Sequence, residues 1–259
     1  MSWSIYPQES IMHRVFKIQG MQTQFTLWRC LGILLVLTLI FPGCSSQYGG
    51  YQVSDDDPYF KNFEFVADAK TNTEIPQSPR DIKLFNLDGK EVPLSDYIGK
   101  RRTVLVMTRG NTVPICPFCS TLTSRYVMSY RQFQNLDTEV LIVYPITGDF
   151  STNEINEFLG ETEKRHGWKR EQTELPILID PHLNLVDYLG IRKDLSKPST
   201  YIFDESGNIT FAYVGRSITD RPSIESVLGQ VKQMIKSLAK QEPSPTEAVD
   251  EALVEPVAE

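Results

Sequence analysis

Two cysteines spaced one helical turn apart constrain this chain more than any other feature. Cys116 and Cys119 flank Pro117-Phe118, directly after an apolar run at residues 103–108 and before a segment with helical apolar spacing. A strand-to-helix junction places Cys116 at a helix N-terminus, where unpaired N–H groups and the helix dipole stabilise a thiolate. Cys116 is therefore the predicted nucleophile, with the lower pKa and the greater exposure. Cys119 can resolve a mixed disulfide formed on it.

Three other interpretations of the pair are a structural disulfide, half of a zinc site and two buried thiols. A zinc site needs two more ligands, but the other cysteines, Cys30 and Cys44, lie in an N-terminal apolar region and the histidines are isolated. A disulfide that closes so short a loop stabilises a fold little. The strand-to-helix setting favours redox chemistry and predicts no bound metal.

The N-terminal region has the pattern of an export signal. Arg29 precedes an apolar stretch at residues 30–41, which is short for a membrane span and typical of a signal-peptide core. Gly43-Cys44 then resembles the cleavage site of bacterial lipoproteins, where the cysteine receives lipid. We expect a signal peptide or anchor over residues 1–43 and lipidation at Cys44. The protein is then exported and membrane-anchored, on the periplasmic or cell-envelope side.

Two details of this region stay open on the sequence. An ordinary signal peptide or an uncleaved anchor would also export the protein, because Phe41 and Pro42 are atypical of lipoprotein signals. Translation could start at Met1 or at Met21, which lies closer to the apolar stretch.

Composition divides the remaining chain into three parts. Residues 44–74 have the mixed composition of a tether with a few docking aromatics, and residues 75–240 have the length of one domain. Residues 241–259, rich in Pro, Ala and acids, predict a disordered tail. Because that tail carries six acids and no base, it accounts for most of the net charge of −7. The nearly neutral remainder argues against a nucleic-acid partner.

Apolar patterns within residues 75–240 predict an α/β domain. Continuous apolar runs indicate central strands covered on both faces, and apolar residues at helical spacing indicate helices packed on the sheet. The main predicted elements are a hairpin turning at Asp88-Gly89, a strand at 103–108, a helix from Pro117, a strand at 140–144, a second hairpin turning at 204–208 and a final helix from Ile224.

These segments resemble the thioredoxin-fold superfamily, in the peroxiredoxin-like branch of alkyl hydroperoxide reductases and thiol-specific antioxidant proteins. The resemblance rests on the entry hairpin at residues 81–97, on Leu175-Pro176-Ile177-Leu178-Ile179-Asp180-Pro181 and on Lys197-Pro198-Ser199-Thr200-Tyr201-Ile202-Phe203-Asp204. It implies a thioredoxin-like fold with a central mixed β-sheet flanked by helices and an N-terminal β-hairpin extension. It also implies a cis Lys197–Pro198 bond beside the cysteines, where Pro198 contacts the substrate.

The chain departs from this family at the peroxide-binding loop. Peroxiredoxins have a Pro-x-x-x-Thr-x-x-Cys loop, in which Thr and an Arg polarise the peroxide. Neither cysteine here has Pro and Thr at those spacings. Arg109 or Lys197 could supply the cation, and Thr112 the hydroxyl.

The leading functional hypothesis is a thiol–disulfide oxidoreductase without a cofactor that cycles Cys116 and Cys119 between dithiol and disulfide. It needs a dithiol reductant protein as partner, and a disulfide or peroxide as substrate. The alternative is a thiol-dependent peroxidase that uses Cys116. A hypothesis from a different class is a copper chaperone, in which the two thiolates and His182 hold Cu(I).

Overall fold

The computed structural model describes residues 58–150, 152–167, 169 and 173–240. The predicted signal peptide, Cys44, the first part of the tether and the acidic tail lie outside these residues. Within the described part, no helix has both the length and the apolar composition needed to cross a membrane.

Within the described residues, seven strands form one mixed sheet, which confirms the predicted fold class. The strands are β1 (Lys83–Phe85), β2 (Glu91–Pro93), β3 (Arg102–Met107), β4 (Thr138–Ile146), β5 (Ile177–Pro181), β6 (Ser199–Phe203) and β7 (Ile209–Val214). Their order across the sheet is β2-β1-β5-β4-β3-β6-β7. The central strands β3, β4 and β5 are parallel, whereas β6 runs antiparallel to β3, and β1 antiparallel to β5. The hairpin β1–β2 extends one edge of the sheet, as the resemblance implied.

The described helices connect and cover these strands. They are α1 (Pro58–Lys61), α2 (Pro117–Gln134), α3 (Thr152–His166), α4 (Asn184–Tyr188) and α5 (Ile224–Ala239), and a single 3-10 turn lies at Leu94–Asp96. Helix α2 follows β3 directly and leads into β4, so these three elements form the predicted strand–helix–strand unit. The start of α2 therefore lies beyond the carboxyl end of β3.

Side chains of β3 alternate between two apolar cores, one on each face of the sheet. Val104 and Val106 pack in the core that also holds the apolar faces of α2 and α5. Leu105 and Met107 pack in the second core, on the face covered by α4. Because successive side chains of a strand point to opposite faces, a strand buried on both faces has the continuous apolar run seen in the sequence.

The entry hairpin turns where the sequence predicted. Phe85 of β1 pairs with Glu91 of β2, and Asn86 Oδ1 accepts hydrogen bonds from the backbone N–H groups of Asp88 (3.0 Å) and Lys90 (2.9 Å). Gly89 has a φ of +75°, which glycine adopts without the steric cost of a Cβ atom. The turn chemistry thus accounts for the register of this hairpin.

Residues 58–69, which belong to the predicted tether with docking aromatics, pack against the domain. Phe60 and Phe65 belong to the core on the α2 face. Arg125 of α2 donates to the carbonyl oxygen of Phe63 at 2.6 Å and lies over the Phe65 ring, 5.0 Å from its centroid. Val66 exchanges backbone hydrogen bonds with the segment that precedes α5. We call residues 58–69 the N-terminal strap.

We expect the Phe65→Ala substitution in the strap to lower the free energy of unfolding by about 3–5 kcal/mol, because it opens a cavity in the core. Phe65 is 5% exposed. Ile75, at the predicted start of the domain, is 54% exposed, so Ile75→Ala should change stability by less than about 0.5 kcal/mol. Urea unfolding of both variants measures the difference. Equal, small effects would show that the strap contributes no core packing.

Candidate active site

The two cysteines lie at the junction between β3 and α2. Cys116 is the N-cap of α2 and has extended backbone geometry, and Pro117 occupies the first helical position, where its missing N–H costs nothing. The N–H groups of Cys119 and Ser120 donate to the Cys116 carbonyl oxygen at 3.0 and 3.2 Å. Both thiols are free. They are almost completely covered, at 2% exposure for Cys116 and 1% for Cys119, so the expected difference in exposure is absent.

The guanidinium group of Arg221 contacts both sulfur atoms. Its Nη2 lies 3.5 Å from Cys116 Sγ and 3.3 Å from Cys119 Sγ, and its Nη1 lies 3.4 Å from Cys119 Sγ. Arg221 is 3% exposed, and its Nε donates to the carbonyl oxygen of Ile218 at 2.9 Å. A buried cation needs a negative partner, and here the thiolate is that partner.

This arrangement separates the acidities of the two thiols. The pKa of the Cys116 thiol is lowered to about 5, because the Cys119 thiol donates a hydrogen bond to its thiolate and because the charges of Arg221 and Arg109 favour that form; burial opposes this shift. Burial raises the pKa of Cys119 well above its ordinary value, and the adjacent Cys116 sulfur adds to the rise. At neutral pH the pair therefore holds one proton, on Cys119, and one nucleophilic thiolate, on Cys116.

Aromatic rings cover Phe118, one of the two residues between the cysteines. Phe118 is 7% exposed. Its ring makes edge contacts with Phe60 and Phe63 of the strap, at centroid distances of 5.2 and 4.9 Å. The strap also reaches Arg221, whose carbonyl oxygen accepts a hydrogen bond from Val66 at 2.9 Å. Residues well before the predicted domain start thus contact both Phe118 and the arginine that binds the two sulfur atoms.

Three of the predicted substrate-binding residues line one small cleft, namely Arg109, Lys197 and Pro198. The backbone N–H of Arg109 also donates to Cys119 Sγ at 3.4 Å. Thr112 is not among the residues that line this cleft. Its hydroxyl instead donates to the Pro114 carbonyl oxygen at 3.0 Å.

The prediction of a cis bond at Lys197–Pro198 is wrong. The cis peptide bond found among the described residues is Val113–Pro114, in the loop that leads to Cys116. Pro198 instead leads into β6, and its carbonyl oxygen accepts a hydrogen bond from Gly215 at 2.8 Å, which extends the pairing of β6 with β7. The segment therefore has the geometry of a strand entry.

His182, the third ligand proposed for copper, lies beside the carboxylate of Asp149. The side chain of His182 is 56% exposed, and its Nε2 lies 3.3 Å from Asp149 Oδ1. In the part of the chain that the structure describes, no group of three or more His, Cys, Asp or Glu side chains has a geometry suited to a metal ion.

Arg221 is the site residue that the sequence analysis missed. It lies 102 residues from Cys119 along the chain, in the loop between β7 and α5. Nothing in its immediate sequence, Asp220-Arg221-Pro222-Ser223, distinguishes it from an arginine that precedes a helix. Only the return of the chain past β7 to the start of α2 brings it to the cysteines.

Comparison with known proteins places this chain in a family. Residues 75–212, more than half of the chain, match the model of the AhpC/TSA family. Two of the solved structures that match illustrate the shared fold. A mutant of the peroxiredoxin 6 of Arenicola marina has a TM-score of 0.52 and 14% identity, over 66% of this chain and 76% of that one. The AhpC of Enterococcus faecalis has a TM-score of 0.50 and 18% identity, over 66% and 98%. No curated protein matches the sequence.

Proposed function

The chain belongs to the AhpC/TSA family and is an oxidoreductase that acts on peroxides or thiols, and we propose that its reaction is thiol–disulfide exchange through Cys116 and Cys119. The observation that carries this proposal is the position of Arg221, whose guanidinium contacts both sulfur atoms. A cation shared by the two sulfurs stabilises whichever of them carries the negative charge. Disulfide exchange needs this property, because the charge moves from one sulfur to the other.

The reaction follows from the two acidities. The Cys116 thiolate attacks one sulfur of a substrate disulfide, the substrate S–S bond breaks, and the departing sulfur leaves as a thiolate that takes up a proton. Cys119 then loses its proton and attacks Cys116 Sγ, which releases the second half of the substrate. The substrate is reduced to two thiols, and the protein is oxidised to the Cys116–Cys119 disulfide. A dithiol protein must reduce that disulfide before the next turnover.

Thiol-dependent peroxidase activity is the second candidate, favoured by the family and by the low pKa of Cys116. A peroxidase of this family needs a hydroxyl group directed at the peroxide, and Thr112 is the residue predicted for that role. Thr112 donates its hydroxyl hydrogen to Pro114, and the Pro-x-x-x-Thr-x-x-Cys loop is missing from the sequence. We therefore rank disulfide exchange above peroxide reduction.

Export remains part of the proposal. It is supported by the apolar stretch at residues 30–41 and by Gly43-Cys44. A dithiol enzyme outside the cytoplasm has no glutathione pool to reduce it, so it needs a dedicated electron donor. That donor is the dithiol partner protein named above, and the N-terminal anchor would hold this chain at the membrane.

A direct comparison of oxidants tests the choice of reaction. We expect the reduced protein to be oxidised faster by a small disulfide than by hydrogen peroxide or an organic hydroperoxide at equal concentration, as measured by thiol loss in quenched samples. The Cys116→Ser variant supplies the background rate. Oxidation by peroxide at rates close to the diffusional ceiling of about 10⁸ M⁻¹s⁻¹ would contradict our proposal and show that the protein is a thiol-dependent peroxidase.

A further inference from the structure

A strongly cationic cleft lies beside the two cysteines. Its cavity of about 40 Å³ has room for about three water-sized groups. Four basic side chains and one acid line it, together with small and apolar residues. The charged lining residues are Arg109, Lys193, Asp194, Lys197 and Arg216.

Two contacts connect the cleft to the reacting sulfur atoms. Arg109 lines the cleft, and its backbone N–H donates to Cys119 Sγ at 3.4 Å. Ile218 also lines the cleft, and its carbonyl oxygen accepts the hydrogen bond from Nε of Arg221, the residue that contacts both sulfurs. A group bound in the cleft is therefore separated from Cys119 by Arg109 on one side, and from both sulfurs by Ile218 and Arg221 on the other.

The four basic side chains of the cleft make no ion pair with any acid that the structure describes. Asp194 is the one carboxylate that faces them in the cleft. Four cations gathered around one acid repel one another, and a bound anion relieves that repulsion. Elsewhere on the described surface, arginines such as Arg102 and Arg192 pair with neighbouring acids.

We propose that this cleft binds a carboxylate of the substrate, so that the protein is selective for small disulfides that carry carboxylate groups. The inference rests on the proposed disulfide exchange and adds the class of substrate. Arginine binds a carboxylate through two parallel hydrogen bonds, and lysine adds a mobile point charge. The volume of the cleft matches one carboxylate, and it is too small for a folded acidic segment.

Binding of the carboxylate holds the substrate disulfide close to the two thiols. With its carboxylate in the cleft, the substrate disulfide lies toward the helix start, where the Cys116 thiolate forms a bond to the nearer sulfur. The substrate S–S bond breaks, and the far half leaves as a thiolate that takes up a proton. Cys119 then displaces the half bound to Cys116, so the substrate gains the two electrons that the cysteine pair loses. The cleft binds the substrate, and only the two cysteines exchange electrons with it.

Three disulfides of similar length test the proposal. Dithiodipropionic acid is a dianion at neutral pH, its diamide is neutral and cystamine is a dication. We expect the reduced protein to react at least about tenfold faster with the dianion than with the diamide, and slowest with cystamine, because charge-assisted hydrogen bonds strengthen binding by that factor. The preference should appear in the KM for the dianion, with a similar kcat for all three.

Charge reversals at two places distinguish binding in the cleft from attraction to the overall charge of the protein. In Lys193→Glu/Arg216→Glu the preference for the dianion over the diamide should disappear. The control Lys236→Glu/Lys240→Glu makes the same change in net charge at the far end of α5, about 18 Å or more along the helix from its start. That control should keep the preference.

Each outcome separates the two proposals. Equal rates with all three disulfides in the wild type, or loss of the preference in both charge-reversed variants, would overturn the carboxylate cleft and leave disulfide exchange standing. Reaction with none of the three disulfides would overturn disulfide exchange itself, and the carboxylate cleft would fall with it.

Discussion

In the Cys119→Ser variant, a mixed disulfide between Cys116 and half of the substrate will accumulate and persist. Cys116 has the low pKa and captures the substrate, whereas only Cys119 can release it. Serine at this position keeps a hydroxyl that can donate to the Cys116 thiolate, so capture stays fast. Intact-mass measurement of non-reduced samples will show one bound half-substrate for each protein molecule.

The Cys116→Ser variant is the matched control, and turnover in it should fall by at least about 1,000-fold. Its remaining thiol is fully covered and has a pKa raised well above the ordinary value, so it is protonated at neutral pH. Disulfide reductase activity near the wild-type level in Cys116→Ser would reverse the order of attack. The roles of nucleophile and resolving thiol would then have to be exchanged.

Replacing Arg221 with Met should raise the pKa of Cys116 by about 1 to 3 pH units, the effect expected of an opposite charge at this distance. The rate of alkylation by iodoacetamide, measured against pH, reports this pKa. In the wild type the rate should rise through a midpoint of about pH 5, because Cys116 is a thiolate above that value. In Arg221→Met the same rise should occur at higher pH.

The same substitution should lower the redox potential of the pair. Arg221 stabilises the thiolate and hence the reduced protein, so its loss makes the dithiol easier to oxidise. One pH unit of pKa corresponds to about 30 mV for a two-electron couple, and a pKa rise beyond 7 adds little at neutral pH. We therefore expect a shift of about 30 to 60 mV to more negative values in equilibrium with a thiol buffer.

Two further variants keep this prediction specific. Arg221→Lys retains the charge but not the planar donor group that contacts both sulfurs, so its alkylation midpoint should lie between those of the wild type and Arg221→Met. Arg131→Met removes a cation from the exposed end of α2 and should leave the midpoint unchanged. We expect Arg221→Met to fold, because the thiolate that balanced the lost charge can take up a proton. An unchanged midpoint in folded Arg221→Met would show that Arg221 does not stabilise the thiolate.

The parts of the molecule that the sequence predicted are governed by local patterns. The cysteine pair, the hairpin at Asp88-Gly89 and the doubly buried strand β3 each depend on residues close together in the chain, where turn chemistry and side-chain periodicity act directly. The resemblance to peroxiredoxin-like proteins added the class of the fold, with its mixed sheet and its hairpin extension.

The parts that the sequence missed depend on contacts between distant segments. Arg221 reaches the cysteines only because β6, β7 and the following loop return to the start of α2. The sequence indicated docking aromatics in the tether but not where they pack, because they have no helical or strand period and are buried against distant elements. The cis bond was expected at Lys197–Pro198 from family likeness, and local strand pairing at Pro198 gives that segment a different geometry.

The most direct test of the proposed reaction is the mass of the peptide that spans Cys116 and Cys119 after the reduced wild-type protein meets one equivalent of a small disulfide. We predict that this peptide loses two hydrogens and carries no substrate, because Cys119 closes the intramolecular disulfide and releases both substrate thiols. A peptide that keeps half of the substrate on Cys116, or that remains fully reduced, would contradict a dithiol–disulfide cycle at this pair.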